Sequence, residues 1–290
     1  MLPLSNNTLG ILWALLAAAL YAAVAAMAKV AVESYHVLQI LFFQQVVVFT
    51  LSMPALIRNY PEGLKTRFPG LHAIRLGGAF VALACGIWAV ELLPLTTAIT
   101  LGFTQGFFII FFAITALGER VGLHRIGAVV VGFVGVSVIM RPAADGVFDS
   151  ALFVPLTAAL GAALAVVAVR KLSQTESTAT LLVYQSTFVG LLSGVPLLRY
   201  WVTPSFADTL FLLAIGLIAA AGQWAGIRAL RAGEASVVGG MQYSQLIFAA
   251  LLGFVLFDEV PDRNTLIGSG IIILSAVYLL YRESRHRDHR

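Results

Sequence analysis

Gln242, Tyr243 and Gln245 stand together in an otherwise apolar run over residues 235–257. Amide and phenol groups in such a run are costly to bury without partners. Their chemistry is recognition rather than bond-making. An amide supplies two N–H donors and a carbonyl acceptor, and a tyrosine ring adds a face for stacking. Gln242 and Gln245, three positions apart, share one face of a helix, and Tyr243 points elsewhere. We read the three as candidate lining of a cavity that holds a polar organic molecule.

Gln105 lies 140 positions before Gln245 and has the same need for partners. It either ties helices across a bundle or touches a ligand. Thr97, Thr100, Thr104, Phe108, Phe111 and Thr115 follow three-four spacing and form one helical stripe. Thr100 and Thr104 are cavity candidates on that stripe. The competing reading has each hydroxyl bonded to its own helix, the stripe serving packing. Tyr21, Trp88 and Trp224, the last beside Gln223, complete the candidate set as rings that could stack on an organic ligand. Trp88 and Trp224 equally fit interfacial anchors, the reading that suits Trp13 and Trp201 best. Gln44, Gln45 and Gln185 read as polar glue between helices. Gly190-x-x-x-Gly194 and Gly222-x-x-x-Gly226 have the spacing of close helix packing.

Other chemistries lack their residues. No Asp or Glu falls near the middle of an apolar run, and the five histidines, at 36, 72, 124, 286 and 289, all fall near run ends. There is no phosphate loop for ATP, no His-Glu-x-x-His metal site and no Gly-x-Ser-x-Gly elbow. Cys85 is the single cysteine, so no intrachain disulfide is possible. No cofactor and no metal is expected, and the chain does not read as an enzyme.

The elements that must position these residues follow from composition. Of 290 residues, 60% are hydrophobic and only 11% charged, against roughly 25% charged in an average soluble domain. A soluble globule and a disordered chain are thereby excluded. Charges, prolines and turn residues divide the apolar sequence into ten runs, at about 8–29, 36–57, 73–91, 95–117, 123–140, 151–169, 178–198, 207–227, 235–257 and 264–281. Each has the length of a membrane-spanning helix, ~20 residues, so the expected fold is an all-α membrane protein of ten transmembrane helices. The first run lacks the basic start of a cleaved signal peptide. Fourteen of the 18 Lys and Arg fall in loops on the side of the termini, which places both termini in the cytoplasm. The net charge of +4 comes with no basic, aromatic-interleaved face, and nucleic acid is not an expected partner.

The chain also repeats itself. Gln105/Gln245 and Glu119/Glu259 share an offset of 140, Phe43-Gln44 matches Tyr184-Gln185 at 141, Pro54 matches Pro196 at 142, and Glu33-Ser34 matches Glu176-Ser177 at 143. Two copies, residues 1–145 and 146–290, would each hold five helices. An odd number makes the second enter the membrane from the opposite side, so the expected architecture is two inverted five-helix repeats. That arrangement builds many secondary transporters, with a midplane site between halves that rock.

Ten helices in five-plus-five form, with Gly118-Glu119-Arg120 after the fourth and Asp258-Glu259 after the ninth, resemble the drug/metabolite transporter superfamily. Within it the chain looks like the EamA-type permeases, in particular bacterial amino-acid and metabolite exporters of the YddG type. The resemblance is strongest from Leu93-Pro94-Leu95-Thr96-Thr97-Ala98 through Glu119 and from Gly233-Glu234-Ala235-Ser236 through Glu259. It implies a central cavity lined mainly by helices one, three, four, six, eight and nine, and a place in the bacterial inner membrane. Such proteins often carry proline within helices four and nine, at positions aligned with Gly106 and Leu246. Both prolines are missing here. That argues against helices broken by proline, although Gly106 leaves its helix soft.

The expectation is an alternating-access carrier for small neutral metabolites, exporting amino acids, aromatic or hydrophobic ones first. Facilitated diffusion is favoured over proton coupling because the midplane lacks a carboxylate. A proton-coupled exporter of other metabolites or drugs is the alternative; a channel and a membrane-embedded enzyme rank below it. The partners are the substrate and the lipid bilayer, and the oligomeric state stays open. Glu119 and Glu259, at helix ends, are expected to cap or to pair with loop charges.

Overall fold

A computed structural model describes residues 6–58, 66, 68–115, 123–139, 149–172, 176–232, 241 and 243–287. Among these the secondary structure is helical throughout. The elements are α1 (Asn6–Ala31), α2 (Val37–Arg58), α3 (Pro69–Leu92), α4 (Leu95–Gly102), α5 (Gln105–Thr115) and α6 (Leu123–Ile139). After a short 3-10 turn at Ser150–Leu152 come α7 (Phe153–Leu172), α8 (Thr178–Tyr200), α9 (Phe206–Ala232), α10 (Gln245–Phe257) and α11 (Arg263–Arg287).

Local chemistry sets several boundaries. Pro69 opens α3, where its missing N–H costs nothing. The Ser177 hydroxyl accepts the Thr180 N–H and caps α8. At the end of α10, Asp258 adopts a left-handed conformation with φ 54°. Its N–H and that of Glu259 turn back to Phe254 O and Gly253 O, which satisfies carbonyls a helix end would otherwise orphan.

Seven of the described segments are long and apolar enough to cross a membrane. The expected ten thus stand at seven by length and composition. Val130–Ile139 in α6 and Gln245–Phe257 are shorter apolar stretches, and α11 runs on into the charged tail Arg282–Arg287. Large apolar side chains point outward as well as inward; Leu198 is 91% exposed and Phe206 81%. Such an exterior suits lipid, not water.

The fourth and ninth runs depart from the expected continuous helices. Helix α4 stops at Gly102 and α5 starts at Gln105, with Phe103 and Thr104 in a turn. Tyr243 and Ser244 form the same turn before α10. Neither break needs proline. The Thr104 N–H and hydroxyl both reach back to Leu101 O, the hydroxyl at 2.6 Å. The Ser244 N–H and hydroxyl do the same to Met241 O, also at 2.6 Å. Tight i→i−3 bonds and a short hydroxyl donor replace the lost helical bonds, a device that a search for proline misses.

The strong packing pairs are α1 with α9, α2 with α8, α3 with α7, and α6 with α11; α4 packs on α10. Two of these crossings rest on paired glycines. A Cβ on Gly78 would stand 2.6 Å from Gly161 O, and one on Gly161 2.7 Å from Gly78 O. Gly135 and Gly268 face each other in the same way between α6 and α11, at 2.9 and 2.6 Å. Close backbone approach of this kind drives association where lipid removes the hydrophobic drive between helices. Of the expected Gly-x-x-x-Gly pairs, Gly194 lies against the Phe42 ring and Gly222 against the Tyr21 ring, while Gly226 faces open space.

Candidate substrate cavity

A cavity of about 540 Å³ lies where the middle of α1, the C-terminal part of α9 and the two helix breaks meet. Its polar wall is Tyr21, Gln105, Gln223, Tyr243 and Gln245, with Phe103 and alanines of α1 between them. No Asp, Glu, Lys, Arg or His is among the described residues that line it.

The backbone explains the placement. Gln105 and Gln245 are the first residues of α5 and α10. Both amides therefore enter the cavity at helix N-termini, which carry partial positive charge. Phe103 and Tyr243, in the two turns, meet with ring centroids 4.8 Å apart and a tilt of 44°. Tyr21 is seated by Gly222, where any Cβ would stand 3.2 Å from the ring. What converges is two amides at two helix starts, a third amide on α9, and three aromatic rings. Such a wall can hydrogen-bond and stack on an uncharged molecule.

The other sequence candidates lie elsewhere. Thr100 is fully buried, donates to Thr96 O at 2.7 Å and pairs with the Ser269 hydroxyl at 3.0 Å. With Thr97 opposite Thr265 at 3.3 Å, it forms a hydroxyl ladder between α4 and α11. Thr104, also fully buried, holds its helix break through Leu101 O. Trp88 is 47% exposed on α3. Trp224 is half exposed, edge-on to Trp13 at 5.1 Å, with the Arg228 guanidinium 5.0 Å over its ring. Neither tryptophan is among the residues that line the cavity. Gln242 and Glu119 lie outside the described residues. Gln185 accepts a hydrogen bond from Arg75 at 3.1 Å, consistent with glue between helices. Phe103 was not among the candidates, yet the 140-residue offset that pairs Gln105 with Gln245 pairs it with Tyr243.

Several known proteins of similar sequence are transporters. An S-adenosylmethionine uptake transporter of Rickettsia bellii is 25% identical over 282 residues, covering 97% of each chain. A riboflavin transporter of Vibrio cholerae is 28% identical, over 95% of this chain and 94% of its own. The pseudopaline exporter CntI of Pseudomonas aeruginosa is 28% identical, over 93% and 95%. One solved crystal structure covers 96% of this chain at a TM-score of 0.63 and 17% identity, a likeness of fold alone. The sequence pattern of one family matches twice, over residues 8–141 and again over 149–281. These matches extend across nearly the whole chain, which therefore belongs to the EamA-like transporter family, a membrane transporter family within the drug/metabolite superfamily.

Proposed function

We propose that the protein is an alternating-access carrier built from two inverted five-helix repeats, residues 1–145 and 146–290, with both termini in the cytoplasm. The helix pairing supports the repeat. Exchanging the five runs of one half for those of the other turns the α1–α9 contact into the α7–α3 contact. The α2–α8 and α6–α11 contacts map onto themselves. The two breaks, at Thr104 and Ser244, are also 140 residues apart.

The observation that carries the substrate class is the cavity at the two breaks, whose described wall holds three amides, three aromatic rings and no charged side chain. A net-neutral molecule bearing a planar ring with amide-like edges suits that wall best. Rings stack on Tyr21, Phe103 and Tyr243, and ring carbonyls and N–H groups pair with Gln105, Gln223 and Gln245. The named relatives carry S-adenosylmethionine, riboflavin and pseudopaline. The amino-acid expectation draws no support from those names, and heteroaromatic metabolites stand ahead of aromatic amino acids. With no carboxylate among the described residues of the wall, downhill exchange is favoured over proton coupling.

The test is counterflow in proteoliposomes with flavins, nucleobases and their nucleosides, and aromatic amino acids, with and without a pH gradient. Saturable, trans-stimulated uptake of a heteroaromatic compound, unaffected by the gradient, is the expected result. Absence of counterflow across the panel removes the carrier reading.

A further inference from the structure

On the side of the bundle opposite the cavity, four groups close a ring of contacts. The Lys29 ammonium, at the end of α1, donates to Leu93 O at 2.7 Å and pairs with Glu259 Oε1 at 2.6 Å. The other carboxylate oxygen of Glu259 accepts the Leu95 N–H at 2.8 Å. The Phe257 ring lies under the ammonium, 5.4 Å away. Both side chains are largely covered, at 15% and 20% exposure, and each charge has two partners.

Its position is what gives this cluster meaning. The cavity takes α1 from Ala14 to Tyr21 and α9 from Gln223 to Ala229, and Trp13 against Trp224 confirms that these two stretches lie together. Lys29 is eight residues past Tyr21, about 12 Å further along the helix. Ala26, Leu95, Leu101 and Ala249, all at 2% exposure or less, fill the core toward that end. The cluster also joins the far ends of the two broken helices. Leu95 begins α4, which runs to the break at Phe103, and Glu259 follows α10, which starts from the break at Ser244. A ligand that moves the breaks pulls on both sides of the contact.

We propose that Lys29–Glu259, with Leu93 O and Leu95 N–H, is the latch that holds the far end of the pathway closed while the cavity faces the other side. The proposal rests on the carrier reading. The pair joins residues of both halves, so rocking one half against the other parts it. A covered but not fully buried ion pair suits a latch: with both charges satisfied it holds, and water at the rim lets it open at modest cost.

The experiment uses the full chain in oriented vesicles, with Cys85→Ser and a reporter Ala17→Cys in the cavity wall. A membrane-impermeant maleimide is added to one side at a time. Lys29→Gln and Glu259→Gln are each expected to raise labelling from the latch side about fivefold, as the loss of one such pair implies. The double variant should label no faster than either single, because each residue acts through the other. Unchanged labelling in both singles, or additive effects in the double, overturns the latch. Should Lys29→Gln fail to fold, Glu259→Gln alone must still shift the labelling for the proposal to stand. Counterflow by the unmutated protein is measured in parallel. A shift in labelling without counterflow removes the carrier reading and keeps the latch; counterflow with unshifted labelling does the reverse.

Discussion

Phe103 and Tyr243 come from helix breaks 140 residues apart, and their rings meet at 4.8 Å beside Gln105 and Gln245. Two turns of like construction thus supply a ring and an amide each to one cavity. The residues that share the 140-residue offset are also the ones that meet at this cavity.

The two amides should act as a pair on substrate. Gln105→Ala and Gln245→Ala are each expected to weaken counterflow by roughly threefold to tenfold, the range one lost hydrogen bond gives. The loss should fall mainly on the apparent KM, measured at several substrate concentrations. A wild-type KM in both variants would clear these residues of substrate contact.

Trp224 gives the opposite expectation. Its ring meets Trp13 edge-on, lies under the Arg228 guanidinium and is absent from the cavity wall, so Trp224→Phe should leave the KM within about twofold, below the effect of one hydrogen bond. A larger change, read in the same flux assay, would return Trp224 to the pathway.

The glycine crossings make a stability prediction with an internal control. Gly78→Ala places a Cβ 2.6 Å from backbone and should cost about 1–3 kcal/mol by overpacking. Gly77→Ala meets nothing within 4 Å and should gain up to about 1 kcal/mol of helix propensity. Thermal unfolding in detergent should therefore rank Gly77→Ala above the native protein and Gly78→Ala below it. The reverse order would refute the crossing.

The break itself can be probed with an isosteric change. Thr104→Val keeps shape and removes the hydroxyl that reaches Leu101 O, which should cost about 1 kcal/mol in the same unfolding experiment. Thr115→Val loses a like bond to Phe111 O at an exposed position and should be close to neutral.

Apolar run lengths made the helices legible in the sequence, and the offset from Gln105 to Gln245 marked two of the cavity amides. Tyr21 and Tyr243 could be named for the same reason: a polar atom at depth stands out against leucine and alanine. The breaks were hidden because they are built from backbone i→i−3 bonds and an ordinary Thr or Ser hydroxyl. Neither leaves a composition signal once proline is absent. Thr100 is the opposite case. Its spacing places it on the Thr104 stripe, and only the facing Ser269 on α11, 169 residues away, reveals that the hydroxyl is already engaged. Trp88 and Trp224 could not be assigned from sequence, since a lipid interface and a cavity both accept indole.

The pairing of Gly78 with Gly161 and of Gly135 with Gly268 has a consequence for biosynthesis. Each glycine's partner sits in the other half of the chain, as do the main partners of α1, α2 and α4. As the ribosome delivers the first half, these notches face lipid, and their mates do not yet exist. The early helices must wait in the bilayer on their own backbone hydrogen bonds. Assembly is then a late event, and a chain truncated near residue 145 would leave inserted helices with unfilled grooves, a substrate for membrane quality control rather than a half-functional protein.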